Sequence, residues 1–443
     1  MRWFVCYLPG KVSPNNRPAK DRRMFRNIFW MGLSSAVRLC TGLILFVLIA
    51  RHLGPEEFGH YMFWYGSTFL CALLANYGLS NMLLKEIAQH PENIADVLSE
   101  SLSLRFTLSA VILLCAMVSS VMVDRPELLL ALLLAHLIEN ISDTFYVTYR
   151  AAGYYARESQ LAASVAIVQL AFVVVAVLTN QNAAVIAISH LAGKVAQLAL
   201  ILPLSRRVFG VFSLQPVYTS FRLAIRTKSY AIDYFLGSLF GNIDSVILRA
   251  YAGIDAVGIY QSGMRIFQGG NQFAPILSNV FLPEIAKQTV YEKKNSRITF
   301  TLQVSFLIYG LFFGLALAYF SDRIVNFAFG ENYKQLISLF PFFGLLFFIR
   351  LFAAAWGVIL TATGHQRYRA KSTAIHLVFA LSVGSYFTYI MQAKGWLIAL
   401  ILANILLGIL YMIRVVQSDT KVSATLGVVT MIVGVLLFVP QLF

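Results

Sequence analysis

Charge is scarce in this sequence. Asp, Glu, Lys and Arg make up 12% of its 443 residues, against 58% hydrophobic, about half the charged share of a soluble globular protein. So few ions cannot solvate a water-soluble body of this size, and the same figures exclude disordered, collagen-like and disulfide-scaffold chains. Cysteine is also rare. The four, at 6, 40, 71 and 115, have no metal-ligand or redox spacing, and the three inside apolar runs are expected to be buried, inert thiols. The sequence has no G-x-x-x-x-G-K-[ST], so direct ATP hydrolysis is not expected, and no H-E-x-x-H, D-x-D or Cys/His cluster. Neither cofactor nor metal is therefore expected. Long loops are missing too: the longest, about 205–230 and 321–335, have no room for a soluble domain.

Long apolar runs are what remains, with a mean hydropathy of +0.72. A helix needs about 20 apolar residues to cross the hydrocarbon core. Runs of that kind fall near 28–50, 59–84, 104–123, 128–147, 160–179, 183–204, 231–250, 259–282, 300–320, 336–362, 373–392 and 396–414, and the uncharged run 425–443 is long enough for a thirteenth. The fold class is an all-α polytopic membrane protein. With residues 1–27 on the cytoplasmic side, Lys and Arg divide between the inner and outer loops roughly four to one, as retention of positive charge on that side requires. The net charge of +15 is thus a topology signal, and no nucleic-acid partner is expected. Trp30, Trp64 and Trp396 near span ends are expected at the membrane interface. Ile94, Val97, Leu98 and Leu102 suggest an amphipathic helix lying on the inner surface. No signal-peptide pattern precedes Trp30, and Met24 offers a later start, so residues 1–23 are expected to be dispensable.

An internal repeat organises the chain. Gly54-Pro55-Glu56-Glu57-Phe58-Gly59-His60-Tyr61 and Gly253-Ile254-Asp255-Ala256-Val257-Gly258-Ile259-Tyr260 both fit G-x-[DE]-x-apolar-G-x-Y, 199 residues apart. Lys85-Glu86-Ile87-Ala88-Gln89 and Pro283-Glu284-Ile285-Ala286-Lys287 follow at an offset of 198. Six spans separate the copies, so both halves enter the membrane in the same sense, as a parallel repeat about an axis along the membrane normal. The expected organisation is a basic segment 1–27, a six-helix bundle 28–204, a linker 205–230, a second six-helix bundle 231–414 and a tail 415–443.

Arg51-His52-Leu53-Gly54-Pro55-Glu56-Glu57-Phe58-Gly59, with Glu86-Ile87-Ala88 and Phe329-Gly330-Glu331-Asn332-Tyr333, resembles the Wzx-type polysaccharide flippases of the multidrug/oligosaccharidyl-lipid/polysaccharide exporter superfamily. The resemblance runs from about residue 25 to 415. It implies a multi-pass protein of the bacterial inner membrane with a cytoplasmic N-terminus. It also implies alternating-access transfer of an undecaprenyl-diphosphate-linked oligosaccharide to the periplasmic leaflet, for O-antigen, lipopolysaccharide or capsule, alongside a polysaccharide polymerase and chain-length regulator. A multidrug extruder or lipid II flippase of the same superfamily is the alternative. A membrane polymerase or ligase fits less well, because those enzymes carry a large outer loop that this chain lacks.

Charges inside the spans are the candidate site. Each buried Lys, Arg or Asp costs about 2.5–3.5 kcal/mol at a helix centre on insertion scales, so each needs a partner or a wet cavity. Arg38 shares a helical face with Ser34 and Thr41, Lys194 with His190 and Gln197, and Arg265 with Gln261, Gln268 and Gln272. Arg350 lies in the middle of span ten. These four bases are expected to line one cationic chamber holding a diphosphate. Asp233, Gly237, Gly241 and Asp244 form one face of span seven, and Glu139 and Asp143 lie a turn apart in span four. These acids either pair with the cations or dock helices, or they take up a proton or sodium ion in an antiport cycle. His136, His190 and His376 are read as interhelical hydrogen bonders.

Overall fold

Uninterrupted apolar sequence forms helix in this protein because a lipid environment offers no other partner for the backbone. The computed structural model describes residues 17–239, 241–290, 296–417, 431–432, 434–438 and 440–441. Fourteen α-helices are described. The first half consists of α1 (Arg17–Asn76), α2 (Leu79–Gln89), α3 (Ile94–Ser119), α4 (Pro126–Ala151), α5 (Tyr155–Leu178) and α6 (Ala183–Phe209). After α7 (Val217–Leu239) come α8 (Asp244–Ala252), α9 (Ile254–Asn271), α10 (Phe273–Val290), α11 (Ser296–Tyr319), α12 (Ser321–Ala328), α13 (Lys334–Ala362) and α14 (Gln366–Gln417). Eight helical stretches among the described residues are long and apolar enough to cross a membrane. Two of these are pairs of helices folded at a kink, at Gly54 in α1 and at Gln392 in α14. Val118, Leu178, Phe312 and Tyr389 point out of the bundle, as an apolar solvent permits.

Most of the expected spans fall on helix as drawn, with some instructive departures. Span seven is not one helix. It breaks after Leu239 and restarts at Asp244, so Asp244 opens α8 and does not continue the face of Asp233. The side chains of Asp233 and Gly237 lie outside the described residues. Span eight is likewise divided, at Gln272. The expected surface helix at 94–102 is instead the first part of a continuous α3, with Leu98 and Leu102 buried against Ile141, Phe145 and Ile201. Its apolar spacing serves a protein neighbour rather than a lipid one. Residues 217–230, expected as linker, are helical and belong to α7. Most of the tail run 425–443 and residues 1–16 lie outside the described residues. Within the tail, Phe438 is buried against Phe348. Cys40, Cys71 and Cys115 face outward instead of inward, and Trp396 is buried in the bundle rather than at an interface.

Packing groups the helices in two sets. In the first, α1 lies against α3, α4 and α5, and α6 against α4 and α5. In the second, α13 is the axis, surrounded by α9, α10, α11 and α14, with Phe340, Phe343, Phe347 and Trp356 fully buried along it. The helix α7 docks on α2 and α3, whereas α8, its continuation, docks on α14. The seventh span therefore bridges the two sets.

The repeat has a structural counterpart. Gly54 (φ 76°, ψ 172°) and Gly253 (φ 89°, ψ 177°) hold the same backbone conformation, one open essentially to glycine alone. Each turns the chain into the helix that follows. Five residues on, Gly59 and Gly258 abut: a side chain on Gly258 would strike the Pro55 carbonyl and the Gly59 amide, and one on Gly59 the Ile254 carbonyl and the Gly258 amide. The repeat's second glycine thus marks where the two halves meet. From this glycine-turn end the contact continues through Tyr333, whose hydroxyl donates to the Ala50 carbonyl (2.8 Å), and Arg51, which donates to the Phe327 carbonyl (3.0 Å). It reaches Leu43 and Gly269, about 16 Å below Gly54 at 1.5 Å per residue.

Candidate functional site

Among the described residues, each set of helices holds a cavity lined by charged side chains. The first, about 350 Å³, is enclosed by α1, α4, α5 and α6 and lined by Arg38, Thr41, Glu139, Asp143, Lys194 and Gln197 among others. The second, about 170 Å³, is enclosed by α8, α9, α13 and α14 and lined by Asp244, Tyr260, Asn271, Arg350, Trp396 and Asn404 among others. They share no lining residue. Of the four bases expected to share one chamber, Arg38 and Lys194 line the first of these cavities and Arg350 the second. Helical periodicity can gather residues on one face of one helix, but it cannot say which helices face each other.

Arg265 lines neither cavity and sits between them. Its guanidinium lies 4.0 Å from the centre of the Phe46 ring and 5.5 Å from that of Tyr65, both rings being walls of the first cavity. It donates weakly to Gln268 Oε1 (3.4 Å), on the second cavity, and contacts Met62 Sδ (3.7 Å). Among the described residues no carboxylate lies within ion-pair distance of Arg265. The same holds for Arg38, which reaches only Ser35 Oγ (3.4 Å), and for Arg350, which lies 5.7 Å from the centre of the Phe267 ring. At Arg265 and Arg350 aromatic faces satisfy the guanidinium in part, leaving its forked donors available to an anion, while Arg38 is exposed.

Lys194 differs. Its Nζ lies 2.7 Å from Glu139 Oε1, so this base is clamped by a carboxylate. His136 Nδ1 approaches the other oxygen of Glu139 (3.6 Å), while its Nε2 donates to the Tyr65 carbonyl (3.2 Å). His190 Nδ1 pairs with the Tyr61 hydroxyl (3.2 Å), and Gln169 donates to the His190 carbonyl (3.1 Å). The two histidines thus join α1, α4, α5 and α6, with the Tyr65 ring packed edge-on to both. Lys194→Met would leave the Glu139 carboxylate uncompensated. A fully buried pair loses about 3–5 kcal/mol when one partner goes, and an exposed one about 0–1. Glu139 is 41% exposed, to the cavity, so a loss of roughly 1–2 kcal/mol is expected. Thermal unfolding of the purified protein checks this: the single variant should melt lower, and adding Glu139→Gln should restore most of the loss.

Arg105, at the start of the run 104–123, is one of the most buried side chains. Arg105 donates to the Asn140 carbonyl, to Thr144 Oγ1 (2.8 Å) and to Ser80 Oγ (2.8 Å), and Ser80 donates onward to Asp143 Oδ2 (2.6 Å). Asp143, on the wall of the first cavity, is therefore tied through a hydroxyl to a buried cation. The spacing of Ser101, Arg105 and Ser109, all buried, is a polar stripe at four-residue intervals that could have revealed this. In the second cavity Asp244 is also engaged, accepting from the Ser245 amide (2.8 Å) and Gln261 Nε2 (3.1 Å).

A polytopic helical protein with paired sets of helices and a polar cavity in each has the architecture of a membrane transporter, and solved transporters share it. The chain superposes with a TM-score of 0.62 on the lipid II flippase MurJ in an inward closed conformation, at 14% identity over 93% of this chain and 97% of that one. A superfamily transporter from Pyrococcus furiosus gives 0.59 at 15% identity, over 90% and 96%, and an inward-facing multidrug resistance MATE family transporter 0.58 at 14%, over 87% and 96%. At these identities the likeness is one of fold. Residues 24–289 match the polysaccharide biosynthesis protein family, and the chain belongs to it. The capsular polysaccharide biosynthesis protein CapF of Staphylococcus aureus is 29% identical over 168 residues, 37% of this chain. The match spans about two fifths of that relative's length.

Proposed function

We propose that the protein is a flippase that carries an undecaprenyl-diphosphate-linked oligosaccharide from the cytoplasmic to the periplasmic leaflet of the bacterial inner membrane. The observation that carries this reading is the set of guanidinium groups at Arg38 and Arg265, facing and adjoining a polar cavity, with no carboxylate within ion-pair distance of either among the described residues. A diphosphate entering the membrane loses its hydration, and forked cationic donors are the groups that replace it best. Membership of a polysaccharide biosynthesis family and the capsular relative support a saccharide cargo. A multidrug extruder of cationic amphiphiles would be served by free acids, whereas Glu139 is taken up by Lys194 and Asp244 by Gln261 and an amide.

Alternating access is part of the proposal. The contact of α1 with α9, and of Ala50 and Arg51 with Tyr333 and Phe327, supports a conformer shut at the glycine-turn end. Charge retention supports a cytoplasmic position for the basic loops at the other end. Glu139, Asp143, Asp233 and Asp244 are the candidate acids for ion coupling. Deleting the gene tests the reading: the polysaccharide should vanish from the cell surface while its lipid-linked repeat unit accumulates on the inner leaflet. Normal polysaccharide with no accumulation would refute it.

A further inference from the structure

The second cavity differs in chemistry from the first. Its walls offer the Tyr260 and Trp396 rings, both buried, flat apolar faces that each carry a polar atom. Around them stand the amides of Asn271 and Asn404 and the Arg350 guanidinium. Asn404 spends a donor on the Leu400 carbonyl (2.8 Å), which leaves its amide oxygen as an acceptor. The Asp244 carboxylate is held by an amide and Gln261, and among the described residues Arg350 has no ion pair.

A polyprenyl chain would want apolar walls throughout, and a diphosphate would want more than one cation. A mostly apolar pocket with a few placed polar groups fits a small polar ring with an apolar face. At about 170 Å³ the space suits one ring, not a chain of them. Asp244 has its Oδ1 occupied by neutral donors, and the cation of the cavity is the Arg350 guanidinium, whose planar fork matches a carboxylate. We propose that this cavity is a saccharide subsite for a sugar ring bearing a carboxylate, a uronic acid, with Arg350 as its specificity-determining residue. The inference deepens the flippase reading and rests on it for the sugar's arrival on a lipid carrier. It separates two subsites, with the diphosphate at Arg38 and Arg265 and the sugar at Arg350.

The test uses the purified full chain in lipid nanodiscs, with D-glucuronate, D-glucose and inorganic pyrophosphate as probes, read by saturation-transfer NMR. Glucuronate should bind about tenfold tighter than glucose, and Arg350→Gln should weaken glucuronate by about tenfold or more while leaving glucose unchanged. Arg350→Lys should retain part of the preference, because a point charge replaces the fork. Pyrophosphate should leave bound glucuronate in place. No glucuronate binding to the unaltered protein, equal binding to Arg350→Gln, or displacement by pyrophosphate would each overturn the assignment. If Arg350→Gln loses its melting transition, Arg350→Lys and Asn404→Ala carry the test: reduced glucuronate preference in both supports the subsite, and unchanged preference in either overturns it. These outcomes are independent of the deletion phenotype, so loss of the sugar subsite and loss of the flippase reading are told apart.

Discussion

Arg265→Ala is expected to stop polysaccharide export while the protein still folds and reaches the membrane, and Arg38→Ala to do the same. A structural guanidinium is recognised by the carboxylate it holds, and removing it costs stability. Arg265 has none among the described residues; it rests on Phe46 and Tyr65 and reaches Gln268 and Met62 at long distance. An arginine in a span opposes insertion by about 2.5–3.5 kcal/mol, offset only in part by aromatic faces. Truncating it should therefore leave the melting temperature unchanged or raise it. Its contribution appears when an anion is present. Losing one partner of a desolvated, hydrogen-bonded charge pair costs about 2–5 kcal/mol, roughly thirtyfold or more in affinity. Lysine should rescue in part. The checks are surface polysaccharide, accumulated lipid-linked repeat unit and melting temperature on the same variants. Unaltered export in both alanine variants would dispose of the diphosphate site.

Gly258→Leu should produce the second large effect, by a different route. A side chain at this position runs into the Pro55 carbonyl and the Gly59 amide, backbone atoms that cannot turn aside. Overpacking costs about 1–3 kcal/mol and occasionally more, and here the cost falls only on the conformer in which α1 and α9 touch. A cost confined to one conformer shifts the equilibrium by roughly ten- to hundredfold at about 1.4 kcal/mol per decade. Export should fall with the population of the shut state, while expression and folding persist. Spin labels at the equivalent repeat positions Glu56 and Asp255, with the native cysteines replaced by serine, should report longer distances in Gly258→Leu than in the unsubstituted background. Gly59→Leu should behave alike. Unchanged distances together with normal export would show that the glycine contact does not control closure.

Much of this molecule was legible from the chain. Apolar runs located the helices because hydrocarbon leaves the backbone no alternative to internal hydrogen bonds. The G-x-[DE]-x-apolar-G-x-Y repeat pointed to equivalent turns, and Gly54 and Gly253 do share one backbone conformation. The stripes of Arg38 with Thr41, of Glu139 with Asp143, and of Lys194 with His190 and Gln197 do face the first cavity. Single-helix periodicity failed where a helix is interrupted. Gly241-Asn242, a helix-breaking pair, precedes the restart at Asp244, and a reading of span seven as one helical face passes over it. The same periodicity is also silent on Arg105, which lies near a span end and is drawn inward by Ser80, Thr144 and the Asn140 carbonyl of neighbouring helices.

Properties carried by one segment at a time were set by the sequence itself: a membrane-spanning, all-helical chain, the sites of its tight turns, and the polar edge of each helix. These depend on neighbours within a few residues, where geometry is fixed by the helix. Which cation meets a carboxylate and which stays free was decided only by tertiary packing. Lys194 met Glu139 across α6 and α4, Arg265 met two rings, and four bases expected in one space were parted between two cavities and the wall separating them. Those pairings depend on the rotation and depth at which whole helices dock, and the pattern along a single helix leaves both free.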